Sequence, residues 1–170
     1  MLQLLRARRS IRRYTDEPLT PGQIDALKEA VLRSPSSRSI RPWEFVFIRD
    51  AELLEQLSRC KPHGATFLGG APLGIVICGD ETRSDVWIED CSIASIVVQL
   101  AAHSLDLGSC WVQVRRREHE GGGSAEAYIQ ELLQLPAHLR VLSVIAVGHP
   151  ARQLEGHARD SLEWSKIQER

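Results

Sequence analysis

The chain lacks the features that mark several large classes of protein. Only 5% of its 170 residues are aromatic, its four cysteines include no Cys-x-x-Cys pair, and its apolar runs are short. A membrane span needs roughly 20 consecutive apolar residues, far more than any run here. There is also no Gly-x-Gly-x-x-Gly after a strand pattern, no Walker-type loop and no nucleophile-elbow sequence. These absences argue against a membrane protein, a disulfide-stabilised secreted domain, a Rossmann or NTPase site and a hydrolase of the elbow type.

Charge and composition favour an ordinary globular protein. The formal net charge is −1 and 43% of the residues are apolar, which argues against a nucleic-acid-binding module. We expect a single cytoplasmic domain over residues 1–170, because the length suits one hydrophobic core and the N-terminus has no signal-peptide pattern. Cys60 and His63 have a spacing that could hold zinc, but no second pair completes four ligands, so no metal site is expected.

The N-terminus carries an unusual density of arginine. Five arginines lie between residues 6 and 13, and they surround a single serine hydroxyl, Ser10. Guanidinium groups form rigid, charge-assisted forks that suit a phosphate monoester. The alternative is a basic, solvated helix end.

The remaining pattern mixes helices and strands without strict βαβ alternation, which predicts an α+β layered fold. Apolar periodicity and capping residues predict five helices and four strands. The helices are expected at about 2–9, 21–33, 51–59, 86–104 and 125–134, and the strands at 45–48, 74–78, 110–114 and 139–147. The helix over 86–104 is apolar nearly all round, which suggests burial against the sheet on one side and against a partner subunit on the other.

Five ordered segments resemble the nitroreductase family of flavoproteins, and together they span roughly residues 4–168. The segments are Arg8-Arg9-Ser10-Ile11-Arg12-Arg13-Tyr14, Pro35-Ser36-Ser37-Arg38-Ser39-Ile40-Arg41-Pro42-Trp43, Ala71-Pro72-Leu73, Leu107-Gly108-Ser109-Cys110-Trp111 and Ala146-Val147-Gly148-His149-Pro150, with Glu89-Asp90 opening the long helix between the third and fourth. The resemblance implies a central, mostly antiparallel sheet of four to five strands surrounded by helices. It also implies an intertwined homodimer in which residues 152–170 embrace the partner.

The resemblance further implies an FMN site built from three parts of the chain. Arg8, Ser10 and Arg12 would grip the phosphate, with Arg9 beside the ribityl chain. Pro35, Ser36, Ser37 and Ser39 would reach the ring from the other subunit, although a Ser-rich turn is the plain alternative. Trp111, Val112, Gln113 and Val114 would pass backbone amides close to the reactive flavin nitrogen.

For several charged residues the sequence leaves two possible roles. Arg159, and less directly His157, would add a cation near the phosphate, or each is a solvated tail charge. Arg41 stands where many members have glutamine, and it either approaches the ring edge or pairs with Glu44 or another surface carboxylate. Ser39 replaces a common asparagine. Glu89-Asp90 complements the helix dipole or lines a substrate pocket.

The function implied by the resemblance is hydride transfer from NADH or NADPH through FMN to a small acceptor, such as a nitroaromatic or a quinone, by a ping-pong mechanism. The flavin would perform the chemistry, so no catalytic side chain is assigned. The alternatives are a specialised enone reductase or dehydrogenase of the same fold, and a protein that stores FMN without turnover.

Overall fold

A computed structural model describes all residues of the chain, 1–170. Its regular elements are five helices and four strands: α1 (Leu2–Ala7), α2 (Pro21–Leu32), β1 (Trp43–Ile48), α3 (Ala51–Ser58), β2 (Leu73–Asp80), α4 (Trp87–Ser104), β3 (Gly108–Gln113), α5 (Ala125–Leu132) and β4 (Leu139–Gly148). The strands form one antiparallel sheet in the order β1-β2-β4-β3. The predicted α+β class, with a four-stranded antiparallel sheet among helices, is confirmed.

The sheet separates two apolar cores. Side chains of α2 and α4 pack on one face, and side chains of α3 and α5 pack on the other. The central strands β2 and β4 are buried along almost their whole length, since both faces are covered. The edge strands β1 and β3 are therefore the places where backbone groups can meet a partner.

Local capping explains where several helices begin. Thr20 accepts a hydrogen bond from the Gln23 N–H at 3.2 Å, and the Gln23 side chain accepts one from the Thr20 N–H at 2.8 Å. This is a complete capping box, and Pro21 occupies the first helical position. Asp50 and Ser124 cap α3 and α5 in the same way.

One predicted boundary near β3 was wrong. The helix α4 ends at Ser104 as predicted, but β3 begins at Gly108 and not at residue 110. Asp106 makes the reversal with a left-handed φ of 59°, and the Leu107 N–H closes the helix end on the Ala102 carbonyl at 2.9 Å. Aspartate tolerates this conformation better than most residues, so no glycine was needed.

The N-terminal helix is shorter than predicted. α1 ends at Ala7 rather than at residue 9, because the following residues leave the helix to lie along β3. Ser10 forms a parallel bridge with Ser109, and the Ile11 N–H donates to the Ser109 carbonyl at 2.9 Å. The arginines at positions 8, 9 and 12 are therefore placed along the edge of the sheet and not on a helix.

The long helix α4 does not follow the predicted pattern of an apolar side chain at nearly every buried position. Its buried side chains include Asp90, Ser95 and Gln99, whereas Ile93 and Ile96 are each 38% exposed. None of the helices combines the length and apolar character needed to cross a bilayer.

Candidate functional site

The outer edge of β3 has backbone groups without a strand partner. In an antiparallel pair, successive residues direct their N–H and C=O groups alternately toward the partner strand and away from it. Ser109 points away from β4, because its carbonyl accepts from Ile11; by alternation Trp111 and Gln113 also point away. The outward N–H groups of Trp111 and Gln113 therefore have no partner, and they lie between Ser10 at one end and the end of the strand at the other.

Only two of the four residues predicted on this strand can offer backbone N–H groups to a ligand. The Val114 N–H donates to the Leu142 carbonyl of β4 at 3.2 Å, and alternation turns Val112 toward β4 as well. Both valine side chains are fully buried on the α3/α5 face. Of the four predicted residues, Trp111 and Gln113 keep N–H groups directed out of the sheet.

One lysine lies at the far end of this open edge. The Lys61 ammonium donates to the outward carbonyl of Gln113 at 3.0 Å. Burial lowers the pKa of Lys61, and the nearby positive charge of Arg117 lowers it further. Sequence analysis did not select Lys61, since its role depends on α3 placing residue 61 beside a strand more than 50 positions later.

The arginine cluster lies at the near end of the edge. Arg8, Arg9 and Ser10 are half-buried, and Arg12 is exposed with its guanidinium 5.9 Å from the centre of the Phe67 ring. None of these arginines has a carboxylate within 4.0 Å, and Arg9 instead donates to the Glu155 carbonyl. Guanidinium groups held together without a counter-ion favour an anionic ligand.

The cysteine beside the cluster is not poised to react. Burial raises the pKa of the Cys110 thiol. The positive charge of Arg12 and a hydrogen bond from Ser10 lower it, but by less than burial raises it. The thiol is therefore held protonated, and the thiolate is the nucleophilic form. Burial likewise raises the pKa of Tyr14, whose hydroxyl donates to the Ile11 carbonyl at 2.6 Å and so fixes the segment between them.

The tail returns to the arginine cluster within the same chain. Arg8, His157 and Arg159 line one groove together with the apolar side chains of α1 and of the tail. The Arg159 guanidinium lies 4.9 Å from the centre of the Trp164 ring, and Trp164 donates from its indole nitrogen to the Arg159 carbonyl at 3.2 Å. The structure thus brings both predicted tail cations to the side of the cluster.

The serine segment forms a separate depression. Pro35, Ser36 and Ser39 line it together with Arg41 and residues 32–34, and it shares no residue with the groove of the arginine cluster. Arg41 has no carboxylate within 4.0 Å, so the predicted alternative of an ion pair with Glu44 is wrong.

The backbone of this segment is strained. Arg38, Ser39 and Arg41 all have left-handed φ angles, of 52°, 54° and 53°, and each such non-glycine residue costs on the order of 1 kcal/mol or more. The turn is held by the Ser36 hydroxyl, which accepts from the Arg41 N–H at 2.8 Å. The Ser37 N–H donates to the buried carboxylate of Asp90 at 2.8 Å. Strain that is held in this way is typical of a functional segment.

Asp90 is the second residue that sequence analysis underestimated. Its Oδ1 accepts from Ser37, whereas its buried Oδ2 has no hydrogen-bond partner. Glu89 is exposed and suits the predicted dipole role. In the sequence, the two adjacent carboxylates at the start of α4 were noticeable, but nothing showed that Asp90 and not Glu89 holds the serine segment.

Comparison with known proteins places this arrangement in a family. The sequence profile of the Nitroreductase family matches residues 5–60 and 59–149. The chain belongs to the nitroreductase family. The predicted family resemblance is therefore confirmed over most of the chain.

Family relatives in sequence and in structure carry consistent names. A putative NADH dehydrogenase/NAD(P)H nitroreductase of Methanothermobacter thermautotrophicus is 38% identical over 89% of this chain and 78% of its own length. The solved FMN-dependent nitroreductase of Clostridium difficile is 40% identical, with a TM-score of 0.95 over 99% of this chain and 98% of that one. A putative nitroreductase of Desulfovibrio desulfuricans, solved in complex with FMN, is 29% identical with a TM-score of 0.78 over 99% of this chain and 96% of that one.

Proposed function

We propose that this protein is an FMN-dependent oxidoreductase that uses NADH or NADPH to reduce a small acceptor, such as a nitroaromatic compound or a quinone. The observation that carries the proposal is the open outer edge of β3, which runs from the unpaired arginine cluster to Lys61. From Ser109 to Gln113 this edge spans about 14 Å at the usual rise per residue. It offers a phosphate site at one end and outward N–H groups at the other, as an elongated phosphorylated ligand requires.

The residues of the chain fit FMN in three ways. Arg8, Ser10 and Arg12 would hold the phosphate through charge-assisted hydrogen bonds, and Arg159 would add a cation from the tail. The Trp111 and Gln113 N–H groups would face the ring, where amides aimed at a nitrogen that gains electrons stabilise the developing charge. FMN, when bound, supplies the hydride chemistry, accepting a hydride from the dinucleotide and passing it to the acceptor.

The protein's own contribution is positioning. No cysteine or tyrosine near the edge has a lowered pKa, since burial raises the pKa of Cys110 and of Tyr14. A fixed array of N–H groups and arginines needs no proton transfer by a side chain. Reductant and acceptor would then occupy the same face in turn, which gives ping-pong kinetics.

We also propose that the working unit is a homodimer with shared sites. The serine segment and the arginine cluster line separate depressions of one chain, which agrees with an arrangement in which the serine segment reaches the flavin of the other subunit. Exposed apolar side chains are available for the contact. Leu2, Leu5, Leu162 and Trp164 line one groove, and Ile93, Ile96 and Ile167 are also exposed. Exposed apolar side chains are typical of subunit interfaces, and residues 152–170 would embrace the partner through such side chains while Arg159 stays beside Arg8 of its own chain.

Anaerobic mixing of the FMN-loaded protein with NADH or NADPH, followed by a quinone, tests the proposed activity. We expect the visible flavin absorption to bleach and return, and NAD(P)H to be consumed over many turnovers. An FMN-storage protein would be reduced at most once and would show no steady consumption, which would overturn the proposal. An enone acceptor used in place of the quinone examines the specialised reductase of the same fold.

A further inference from the structure

A second cationic groove lies beyond the end of β3. Its lining contains Lys61, His63, Arg116 and Arg117, with Pro62 and Glu118, so Pro62 supplies its one apolar side chain. It shares no residue with the groove lined by Arg8 and Arg159, or with the depression lined by Ser10 and Arg12. A surface of this composition favours an anion over an apolar ligand.

The cations of this groove have no counter-ions. Lys61, Arg116 and Arg117 lack a carboxylate within 4.0 Å, and Glu118 is not paired with them. Elsewhere in the chain, Arg33, Arg38, Arg59 and Arg140 are all ion-paired. Like charges gathered without compensation repel one another, and a bound anion relieves that repulsion.

The backbone holds the two arginines in place. The Arg117 N–H donates to the Val114 carbonyl at 3.0 Å, and the Arg117 carbonyl accepts from the Ala125 N–H at 2.9 Å. Arg116, between Arg115 and Arg117, has a left-handed φ of 58°, which is uncommon for a residue with a long side chain. A tight turn fixed at both ends is preorganised, so a ligand would not have to order it.

The groove is continuous with the proposed flavin site. Lys61 lines the groove and also donates to the Gln113 carbonyl, at the end of the open edge of β3. A ligand seated on Arg116 and Arg117 therefore has a direct path to the face on which reductant and acceptor would react.

We propose that this groove binds the phosphate groups of the nicotinamide dinucleotide while its nicotinamide reaches the outer edge of β3. The inference rests on the proposed function and extends it by assigning a subsite for the reductant. Arginine suits this role because its planar fork matches a phosphate, and an arginine cluster favours NADPH, whose 2′-phosphate adds charge.

The test measures nucleotide binding without relying on turnover. Isothermal titration of the FMN-loaded protein with 2′,5′-ADP, and separately with ADP, distinguishes the 2′-phosphate from the diphosphate as the group that is bound. We expect the double variant Arg116→Asn and Arg117→Gln to weaken binding of the preferred probe at least tenfold. Asparagine is chosen at 116 because it tolerates the left-handed conformation. FMN content and thermal stability should stay unchanged.

A matched control removes two cations elsewhere. Arg49 and Lys28 are exposed, and Lys28 is paired only with the exposed Asp25 of α2, so Arg49→Gln with Lys28→Gln changes the net charge equally and should leave both titrations unaltered. Equal weakening in the control would show a general charge effect and overturn the assignment.

The outcomes separate this inference from the proposed function. Bound FMN and steady turnover, with neither probe binding or with binding unchanged in the Arg116 and Arg117 variant, would overturn the groove assignment alone. Failure to bind flavin would overturn the proposed function, and the same titration carried out on the flavin-free protein would still report whether the groove takes phosphate. Binding of an oligonucleotide but of neither nucleotide probe would also overturn the assignment.

Discussion

The backbone N–H of Ser37 donates a 2.8 Å hydrogen bond to Oδ1 of Asp90, a carboxylate that is only 2% exposed. The bond joins the strained serine segment to the first turn of α4, which carries the exposed Ile93 and Ile96 one to two turns later. The serine segment is thus tied to the helix that carries Ile93 and Ile96 of the proposed dimer surface. A change at the interface is expected to move the residues that would reach the partner's flavin.

Replacement of Asp90 tests this anchor. Asp90→Ala leaves the Ser37 N–H without its acceptor, and a hydrogen bond to a charged group contributes about 1.5 to 3 kcal/mol. We expect a loss of that order in urea unfolding and faster amide exchange at Ser37. The neighbouring Glu89→Ala, at an exposed position, should change stability by no more than about 0.5 kcal/mol. Unchanged exchange at Ser37 in Asp90→Ala would show that the carboxylate does not hold the segment.

Gly108 tests the placement of the arginine cluster. A Cβ at this position would lie 2.8 Å from two carbon atoms of Ile11, too close for an ordinary contact. We expect Gly108→Ala to destabilise the fold by about 1 to 3 kcal/mol through overpacking, and to weaken FMN binding because the segment that carries Arg12 must move. Thermal denaturation and flavin titration measure the two effects.

Gly22→Ala is the control for Gly108. Nothing lies within 4 Å of a Cβ added at Gly22, which is in the first turn of α2. Alanine is the better helix former by up to about 1 kcal/mol, so this variant should be as stable as the parent or more stable. If Gly108→Ala behaved like Gly22→Ala, the close packing of Ile11 on β3 would be wrong.

Arg41 is expected to influence the flavin potential. The residue is exposed and lines the serine depression without a carboxylate partner. A guanidinium near the ring edge stabilises negative charge on the reduced ring, so Arg41→Gln should lower the midpoint potential while FMN stays bound. The expected fall is tens of millivolts, about 30 mV for each 1.4 kcal/mol in a two-electron couple. Spectroelectrochemical titration that gave equal potentials would place Arg41 away from the ring.

Mixed dimers test whether two chains share each site. A phosphate-site variant, Arg12→Ala, combined with a serine-segment variant, Ser37→Trp, should form heterodimers in which one of the two sites is intact. We expect FMN binding to return to about half of the sites in those heterodimers. A stable monomer that retains FMN, or heterodimers with no functional site, would contradict the shared arrangement.

Features that depend on neighbouring residues could be predicted from the sequence. The capping box of Thr20 and Gln23, the caps at Asp50 and Ser124, and the long helix before Leu105 all follow from short-range patterns. The family resemblance added the order of the segments and the α+β fold. It could not add the geometry of residues that differ from the family, such as Arg41.

Features that depend on distant contacts could not be predicted. The pairing of Ser10 with Ser109, the bond from Lys61 to Gln113 and the anchoring of Ser37 on Asp90 each join residues that are tens of positions apart. Backbone alternation determines which N–H groups of β3 point out of the sheet toward a ligand. The Val112 and Val114 N–H groups point toward β4 instead. A sequence pattern alone does not fix that alternation.

The central claim is that the arginine cluster recognises a phosphate on a flavin. It is tested most directly by calorimetric titration of the flavin-free protein with FMN and with riboflavin, for the parent chain and for the double variant Arg8→Ala with Arg12→Ala. We expect the parent to bind FMN at least tenfold more tightly than riboflavin, because a single charge-assisted hydrogen bond contributes about 1.5 to 3 kcal/mol. The double variant should lose this preference while retaining its affinity for riboflavin. Equal affinity of the parent for FMN and riboflavin would contradict the account.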